Sequence, residues 1–583
     1  MRYSYLLLSL IILAACKPFN NGHQALQNVL DSSWEYRIAQ NPMFATSLGM
    51  KEYNHLLPEV SEEKIQEDGA FWEKQLAALE EINVSSLSDA DKVNYEMFHY
   101  LLKDRIANVK FQAYLVPLNA EGGFYTGFAF VPRNMPFETE EDYENYISRL
   151  SAFSSYAEQY MGLMKTGMER GMVPPKNILK SHPGMIDTYI QAEPEESPFF
   201  APFLKIPDGI SPEKQQELQQ KGIEVISTEL QPTYQRTKTF LEEEYIPAAR
   251  ETFGAIEYPN GKQYYEQRVQ YFTTLPYSSE EVFAIGEQEV ARIMGEMTEI
   301  IDSLGFEGSY ADFLQFLRTD DQFYVKNARR LLEKASYIAK KIDGTLPKYF
   351  GKLPRNSYGV QPVPDAIAPN YTAGRYVSGS LQNHRSGTYW VNTYNLPSRT
   401  LYTLPALTLH EAVPGHHFQN AIAEELEEMP EFRSRTYINS YGEGWALYTE
   451  KLGKEMGIYE TLYEDFGRLT YEMWRACRLV VDVGLHTKGW TRDQAVEYMG
   501  SRTALSIHEI NTEIDRYIGW PGQALSYKMG ELTIVRLREK AEAELGDDFN
   551  LREFHDLLLS QGAVPMFILE RMVDEYIKEK QVS

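Results

Sequence analysis

Cysteine is nearly missing from this chain of 583 residues, which has two, Cys16 and Cys477. That scarcity excludes a disulfide framework, and Cys477 alone reads as a buried apolar filler. Basic residues are also short: 57 Lys and Arg stand against 83 Asp and Glu, a net charge of −26. With no compensating Lys/Arg stripe, nucleic acid is excluded as a partner. Beyond the first fifteen residues no stretch approaches 18 consecutive apolar positions, which excludes a membrane-spanning helix there. Alternating strand patterns are few, and neither an internal repeat nor a low-complexity tract is present. A β-rich fold and a repeat array are therefore not expected.

What is present begins with a targeting segment. Arg2 gives a positive start, Leu6 to Ala15 form an apolar core too short to cross a bilayer, and Leu13-Ala14-Ala15-Cys16 resembles the bacterial lipobox. Residues 1–16 are expected to be a lipoprotein signal peptide, with Cys16 lipidated as the first residue of the mature chain. Several acyl tails make a stable membrane anchor. Lys17, rather than Asp, at the next position points by family rule to the outer membrane, facing the periplasm. An ordinary secretory signal with a chance cysteine is the alternative.

The remainder, in a chain that is 43% apolar, is expected to be globular and mainly α-helical. Ser278 and Glu281 form a capping-box pattern ahead of Val290, Ile293, Met294, Met297, Ile300 and Ile301 at helical spacing. Amphipathic stretches run through 62–82, 90–107, 140–170, 213–251, 323–342, 461–485 and 531–543. The best strand signal is 387–393, Gly-Thr-Tyr-Trp-Val-Asn-Thr, short, aromatic and β-branched. Prolines crowd 193–212 and 353–398, and a long irregular segment of the second kind often lines a site. The expected division is an N-terminal helical lobe, 17–255, and a catalytic lobe, 256–583, with a soft boundary across which the two interleave.

One run carries the chemistry: His410-Glu411-Ala412-Val413-Pro414-Gly415-His416-His417. A histidine followed directly by a glutamate is how many zinc hydrolases pair a metal ligand with a general base. In the usual His-Glu-x-x-His helix the histidines are four apart and share a face. Here His416 is six residues on, roughly 120° away on a regular helix. Pro414 lacks the N–H that would bond back to His410, and Gly415 follows, so the helix is expected to break. His417, at seven, would suit an unbroken helix, and the residues themselves leave the second ligand open between His416 and His417. A third ligand is sought downstream, where Glu443 and Glu450 share one face of the segment from Tyr441 to Glu450. Two acids on an otherwise apolar helix are costly to bury without a cation.

Through His410-Glu411, Pro414-Gly415-His416-His417 and Glu443-Gly444-Trp445-Ala446-Leu447-Tyr448, the chain resembles the bacterial family called domain of unknown function 885 (DUF885). That likeness runs from about residue 25 to the C-terminus. The family in turn is similar to helical gluzincin peptidases such as thimet oligopeptidase, thermostable carboxypeptidase and angiotensin-converting enzyme. The resemblance implies a large two-lobed helical fold with a deep cleft and a small β-sheet beside the zinc helix. It implies one Zn2+ per chain on His410, His416 and Glu443, because a glycine precedes the second ligand in those enzymes and the third is a downstream glutamate. Glu411 would take a proton from water and pass it to the leaving amine, and Glu450 would orient a ligand histidine. The spare histidine, His417, would donate a hydrogen bond to the developing oxyanion.

Tyr527-x-x-Gly530 resembles the tyrosine-bearing segment of the thermostable carboxypeptidases, which makes Tyr527 a catalytic candidate supporting the tetrahedral intermediate. Arg516, as an anion clamp, and Tyr517 are candidates for substrate binding. Strand 387–393, with Tyr389, is expected to pair with an extended peptide by edge addition. Arg375, Arg385 and Arg399 are further candidates for a substrate carboxylate, unranked by sequence. The function expected is an envelope-anchored zinc metallopeptidase acting on short peptides. A zinc amidase or esterase on non-peptide or cell-wall amides would use the same ligands. A non-catalytic metal-binding lipoprotein is the third possibility, against which the base Glu411 speaks.

Overall fold

The computed structural model describes residues 21–365, 367–426 and 429–582, so the expected signal peptide and Cys16 lie outside the described residues. The architecture is mainly α-helical with only small sheets. Long helices start where a hydroxyl side chain caps the free N–H groups of the first turn. Ser61, Ser88 and Thr139 do so for α1 (Glu62–Glu80), α2 (Asp89–Lys110) and α3 (Glu140–Arg170). Ser278 and Glu281 form a reciprocal capping box at α4 (Ser279–Ser303), which buries Val290, Ile293, Met297, Ile300 and Ile301 as their spacing requires. The helical stretch from Pro212 to Ala248 widens into π turns at Ile226–Leu230 and Leu241–Tyr245. Each π turn holds the carbonyl four residues before a proline, Pro232 or Pro247, where the ring would otherwise clash.

Strands β1 (Tyr358–Pro362), β2 (Gly374–Val377) and β3 (Gly387–Val391) follow, in the spatial order β1-β3-β2. β1 runs parallel to β3, pairing Tyr358 with Gly387, and β2 runs antiparallel, pairing Gly374 with Val391. The strand legible in the sequence is thus the central one, with both edges already bonded. This corrects the expectation that it adds a peptide at its edge; β1 and β2 hold the free edges.

The remaining helices that matter are α5 (Leu404–Glu411), α6 (His416–Glu424), α7 (Asn439–Glu455), α8 (Leu462–Thr487), α9 (Ile507–Gly519) and α10 (Ser526–Leu545). α8 packs along α4 and also against α5 and α10, and it is buried on every side over most of its length. One large apolar cluster joins Tyr146, Phe153 and Tyr234 to Leu469, Met473 and Ile514, and it includes the free, fully buried Cys477. A second joins Trp72 and Phe98 to Trp445, Ile534 and Val573. Among the described residues, no helix is long and apolar enough to cross a membrane.

Candidate metal centre

The helix carrying His410 ends where the sequence stops supporting it. α5 terminates at Glu411, the backbone leaves helical geometry at Ala412 (φ −97°, ψ −106°), and α6 begins at His416. The Val413–Pro414 peptide in the intervening turn is cis. A Cβ on Gly415 would lie 1.9 Å from the carbonyl oxygen of His410 and 2.4 Å from that of Leu409. Only glycine lets the chain fold back so closely over the end of α5. The fold-back sets the His416 ring beside that of His410, centroids 4.8 Å apart and planes at 88°.

α7 is clamped against this turn. Trp445 Nε1 donates to the carbonyl of Pro414 at 2.8 Å, and Thr449 Oγ1 donates to that of Leu409 at 3.1 Å. On the same helix Gly444 meets Gly530 of α10 backbone to backbone, where a Cβ would come within 2.6 Å. These contacts fix Glu443 Oε2 at 3.6 Å from His410 Nε2 and 3.5 Å from His416 Nε2. Ligands about 2.0–2.2 Å from a tetrahedral zinc stand roughly 3.3–3.6 Å from one another, so these two separations suit such an ion. All three ligand atoms lie within 4.8 Å of one another.

The surroundings orient those atoms. His410 Nδ1 donates to Glu450 Oε1 at 2.8 Å, which turns Nε2 toward Glu443. Glu450 is 1% exposed, and its Oε2 has no hydrogen-bond partner among the described residues. Burial works against a charged His410, but the carboxylates of Glu443, Glu450 and Glu411 outweigh it and raise its pKa to about 9. Burial likewise opposes the Glu443 anion, and the two histidines still hold its pKa well below the usual carboxylate range. Three acids around two imidazoles make a pocket that favours positive charge, and the donor set suits zinc.

At the rim, Glu411 Oε2 accepts a 2.8 Å hydrogen bond from the backbone N–H of Tyr376, on β2. Tyr437 donates to Glu443 Oε1 at 3.0 Å. Burial, followed by the charge of Glu443, raises the pKa of Tyr527, so its hydroxyl stays protonated beside the centre. His417 does not join. It is 1% exposed, its Nε2 donates to the carbonyl of Asn356 at 3.1 Å and its Nδ1 faces the Tyr376 hydroxyl at 3.4 Å. Burial lowers its pKa to about 4, and its expected role as an oxyanion donor is corrected to a packed core histidine. One position past His416 on α6, its side chain points about 100° away.

Two other candidates are corrected as well. Tyr389 is fully buried under the sheet with its hydroxyl 3.4 Å from Thr408 Oγ1, out of reach of substrate. Tyr517 is fully buried too, donating to Glu513 at 2.7 Å while accepting from Arg478 Nε at 2.8 Å and Trp474 Nε1 at 3.1 Å. Arg516 pairs with Glu513 at 2.9 Å and also bonds Gln523. Sequence reasoning missed Tyr437, the clamps Trp445 and Thr449, and the buried arginines Arg475 and Arg478 of α8. The last two carried no signal of their own, standing on a helix that also holds Arg468, Glu472 and Asp482.

The sequence pattern of the family described as "Bacterial protein of unknown function (DUF885)" matches residues 42–573. A crystal structure described as that of "the putative lipoprotein from Colwellia psychrerythraea" superposes with a TM-score of 0.88 at 29% identity, over 96% of this chain and 100% of that one. The structure of "a putative lipoprotein of unknown function from Shewanella oneidensis" superposes with a TM-score of 0.75 at 19% identity, over 94% of this chain and 99% of that one, a likeness of fold alone. No curated protein matches the chain.

Proposed function

The chain belongs to the bacterial DUF885 family, and from that premise we propose that it is a zinc-dependent peptidase of the cell envelope that hydrolyses short peptides. One observation carries the reading: two imidazole nitrogens and a carboxylate converge while a neighbouring glutamate is held at their rim. The resemblance of the sequence motifs to those of helical gluzincins supports the same reading. His410, His416 and Glu443 would hold the ion, which when bound supplies a Lewis acid and acidifies water at neutral pH.

The protein's own groups do the rest. Glu411 keeps Oε2 on the Tyr376 N–H, which leaves Oε1 to receive a proton from water and return it to the leaving amine. Glu450 keeps His410 in the tautomer that presents Nε2. The protonated hydroxyl of Tyr527, close enough to feel the charge of Glu443, is a candidate to donate to an oxyanion, as is that of Tyr437 on Glu443. Cys16 would carry the lipid anchor, a reading supported by the lipobox and by the description of the Colwellia psychrerythraea relative as a lipoprotein.

The test is zinc content and turnover measured together. The purified protein is expected to carry one zinc per chain and to cleave members of a short-peptide mixture followed by mass spectrometry. Glu411→Gln should keep the zinc and lose the cleavage. Protein that takes up no zinc on reconstitution, or a variant that cleaves like the wild type, refutes the reading.

A further inference from the structure

In a chain whose net charge is −26, Arg375, Arg399, Arg475, Arg478 and Arg516 are linked to the centre or to one another through the acids and tyrosines they act on. The first, second and last were already candidates for substrate. Arg375, on β2, feels the charges of Glu411 and Glu443. Arg478 lies 4.2 Å over the ring of Tyr527, which itself senses Glu443. The charges of Arg399, Arg475 and Arg478 all act on Glu509 of α9. Against these cations stand Glu509 and Glu513, and, beside Arg375, Glu411 and Glu443.

Two of the arginines are buried with hydrogen-bonding capacity unspent. Arg475 is 6% exposed and makes no ion pair among the described residues. Its Nε has no partner, and its one hydrogen bond is a long 3.5 Å contact to the carbonyl of Tyr471. Arg478 is 3% exposed; Nε serves Tyr517 and Nη2 serves Glu513 at 3.0 Å, but Nη1 has no partner. Both guanidinium groups stack on the Trp474 indole, at 4.2 and 4.5 Å, which fixes their planes. A buried cationic N–H without an acceptor is costly, and the natural acceptor for an arginine fork is a carboxylate.

A cavity of about 230 Å³ reaches Arg399 directly and Arg475 through Tyr471; Leu331, Val391, Leu404 and Leu407 line it together with Glu509. Arg475 sits 4.9 Å over the ring of that same Tyr471. Leu404 and Leu407 belong to α5, with Leu407 one turn before Glu411, so the helix that carries the base also lines the cavity. Its volume is below the roughly 300–1,000 Å³ of whole-ligand pockets and suits a single side chain.

We propose that Arg475 and Arg478, with Arg399 beside them, bind the free C-terminal carboxylate of a peptide whose last side chain enters this cavity, so that cleavage proceeds from the C-terminus. The inference rests on the peptidase reading for its reaction, but not for its binding site. A glutamate side chain near the end of the peptide could supply the same carboxylate, and the test separates the two.

Three tetrapeptides serve: one ending in leucine as the free acid, its C-terminal amide, and an amide ending in glutamate. The acid should be cleaved with kcat/KM about 100-fold above its amide, in line with a lost charge-assisted hydrogen bond. The glutamate amide should behave like the leucine amide. In parallel, calorimetry with reduced-amide (CH2–NH) analogues of the acid and the amide measures binding without turnover. The acid analogue should bind at least tenfold tighter, and Arg475→Lys and Arg475→Met should each bring the acid-to-amide ratio toward one in protein with wild-type circular dichroism. Tighter binding of the acid analogue without cleavage of any peptide overturns the peptidase reading and leaves the carboxylate site standing. Equal binding of the two analogues overturns the carboxylate site, whatever is cleaved. A glutamate amide handled like the free acid overturns recognition of the C-terminus, and a ratio unchanged in the folded variants overturns the role of Arg475.

Discussion

Gly415→Ala tests whether the break in the motif helix is what completes the metal centre. An added Cβ would stand 1.9 Å from the carbonyl oxygen of His410, where ordinary contact begins near 3.4 Å, so the turn must open by 1.5 Å, the difference of the two. The obstacle is backbone at the end of a buried helix and cannot swing aside as a flexible side chain would. Metal–ligand distances hold to about ±0.2 Å, so an opening of this size takes His416 off the ion. With one of three protein ligands lost, the zinc Kd should rise at least ~100-fold, or ~2.7 kcal/mol. The crowding itself should destabilise the fold by about 1–3 kcal/mol. Gly295→Ala is the matched control: that glycine is exposed in the middle of α4 with nothing within 4 Å of an added Cβ. There alanine should stabilise by about 0.8–1 kcal/mol through helix propensity. Zinc affinity is read by competition with a chromophoric chelator, and folding by circular dichroism. A Gly415→Ala protein that binds zinc within twofold of the wild type would falsify the geometry argued for His416.

Four further outcomes follow from the same contacts. Glu411→Gln should lower kcat by about 10²–10⁴-fold at unchanged zinc occupancy; activity above a tenth of the wild type removes Glu411 from proton transfer. Glu450→Gln should weaken zinc about 10–100-fold by loosening the His410 ring, and an unchanged affinity would make Glu450 a spectator. His417→Gln should cost about 1–3 kcal/mol of stability by disturbing its bonds to Asn356 and Tyr376, with zinc binding intact; loss of zinc would return His417 to the ligand set. Burial, then the charge of Glu513, raises Glu509 to about 7 against the opposing pull of Arg399, Arg475 and Arg478. Below that pH Glu509 is neutral and the arginines are free for substrate; above it, an ionised Glu509 competes for them. The preference for acid over amide peptides should therefore fall from pH 6 to pH 8, and Glu509→Gln should hold it level. A preference that rises with pH in the wild type contradicts this arrangement.

The parts of the fold that repeat locally were legible in the sequence. Helical period and capping residues place α1 to α4 and α8 within a few residues of their observed limits, because the apolar face and the cap act on the helix itself. The strand at Gly387–Val391 was legible for the same reason. Its place in the middle of the sheet was not, since that depends on β1 and β2, which carry Pro and Gly and lack a clear alternation. The irregular look of 353–398 reflects a sheet whose stability comes from what lies under it, including Leu331, Leu404 and Tyr471. Among site residues, His410, His416 and Glu443 stood out because a proline and a glycine between two histidines have few uses. Tyr389 and Tyr517 misled because an aromatic residue near a motif is more often packed than presented. Arg475 and Arg478 went unnoticed because their meaning depends on which acceptors are missing around them, and absence of a partner has no sequence pattern.

The broken helix also changes what holds the ligands in register. When both histidines lie on one uninterrupted helix, its hydrogen bonds fix their spacing locally. Here that function passes to tertiary contacts: Trp445 on the Pro414 carbonyl and Thr449 on that of Leu409 tie α7 across the turn. The Gly444–Gly530 approach ties α7 in turn to α10, the helix that brings Tyr527. One ligand and the base thus come from α5, the other two ligands from α6 and α7, and the hydroxyl donor from α10, locked by small residues and buried hydrogen bonds. Arg475 and Arg478 come from α8, which packs against both α5 and α10. Because α8 touches the helix of the base and the helix of the hydroxyl donor, carboxylate recognition and chemistry share one rigid frame. A peptide held by its terminus on α8 would meet the centre at a distance fixed by helix packing rather than by a mobile loop.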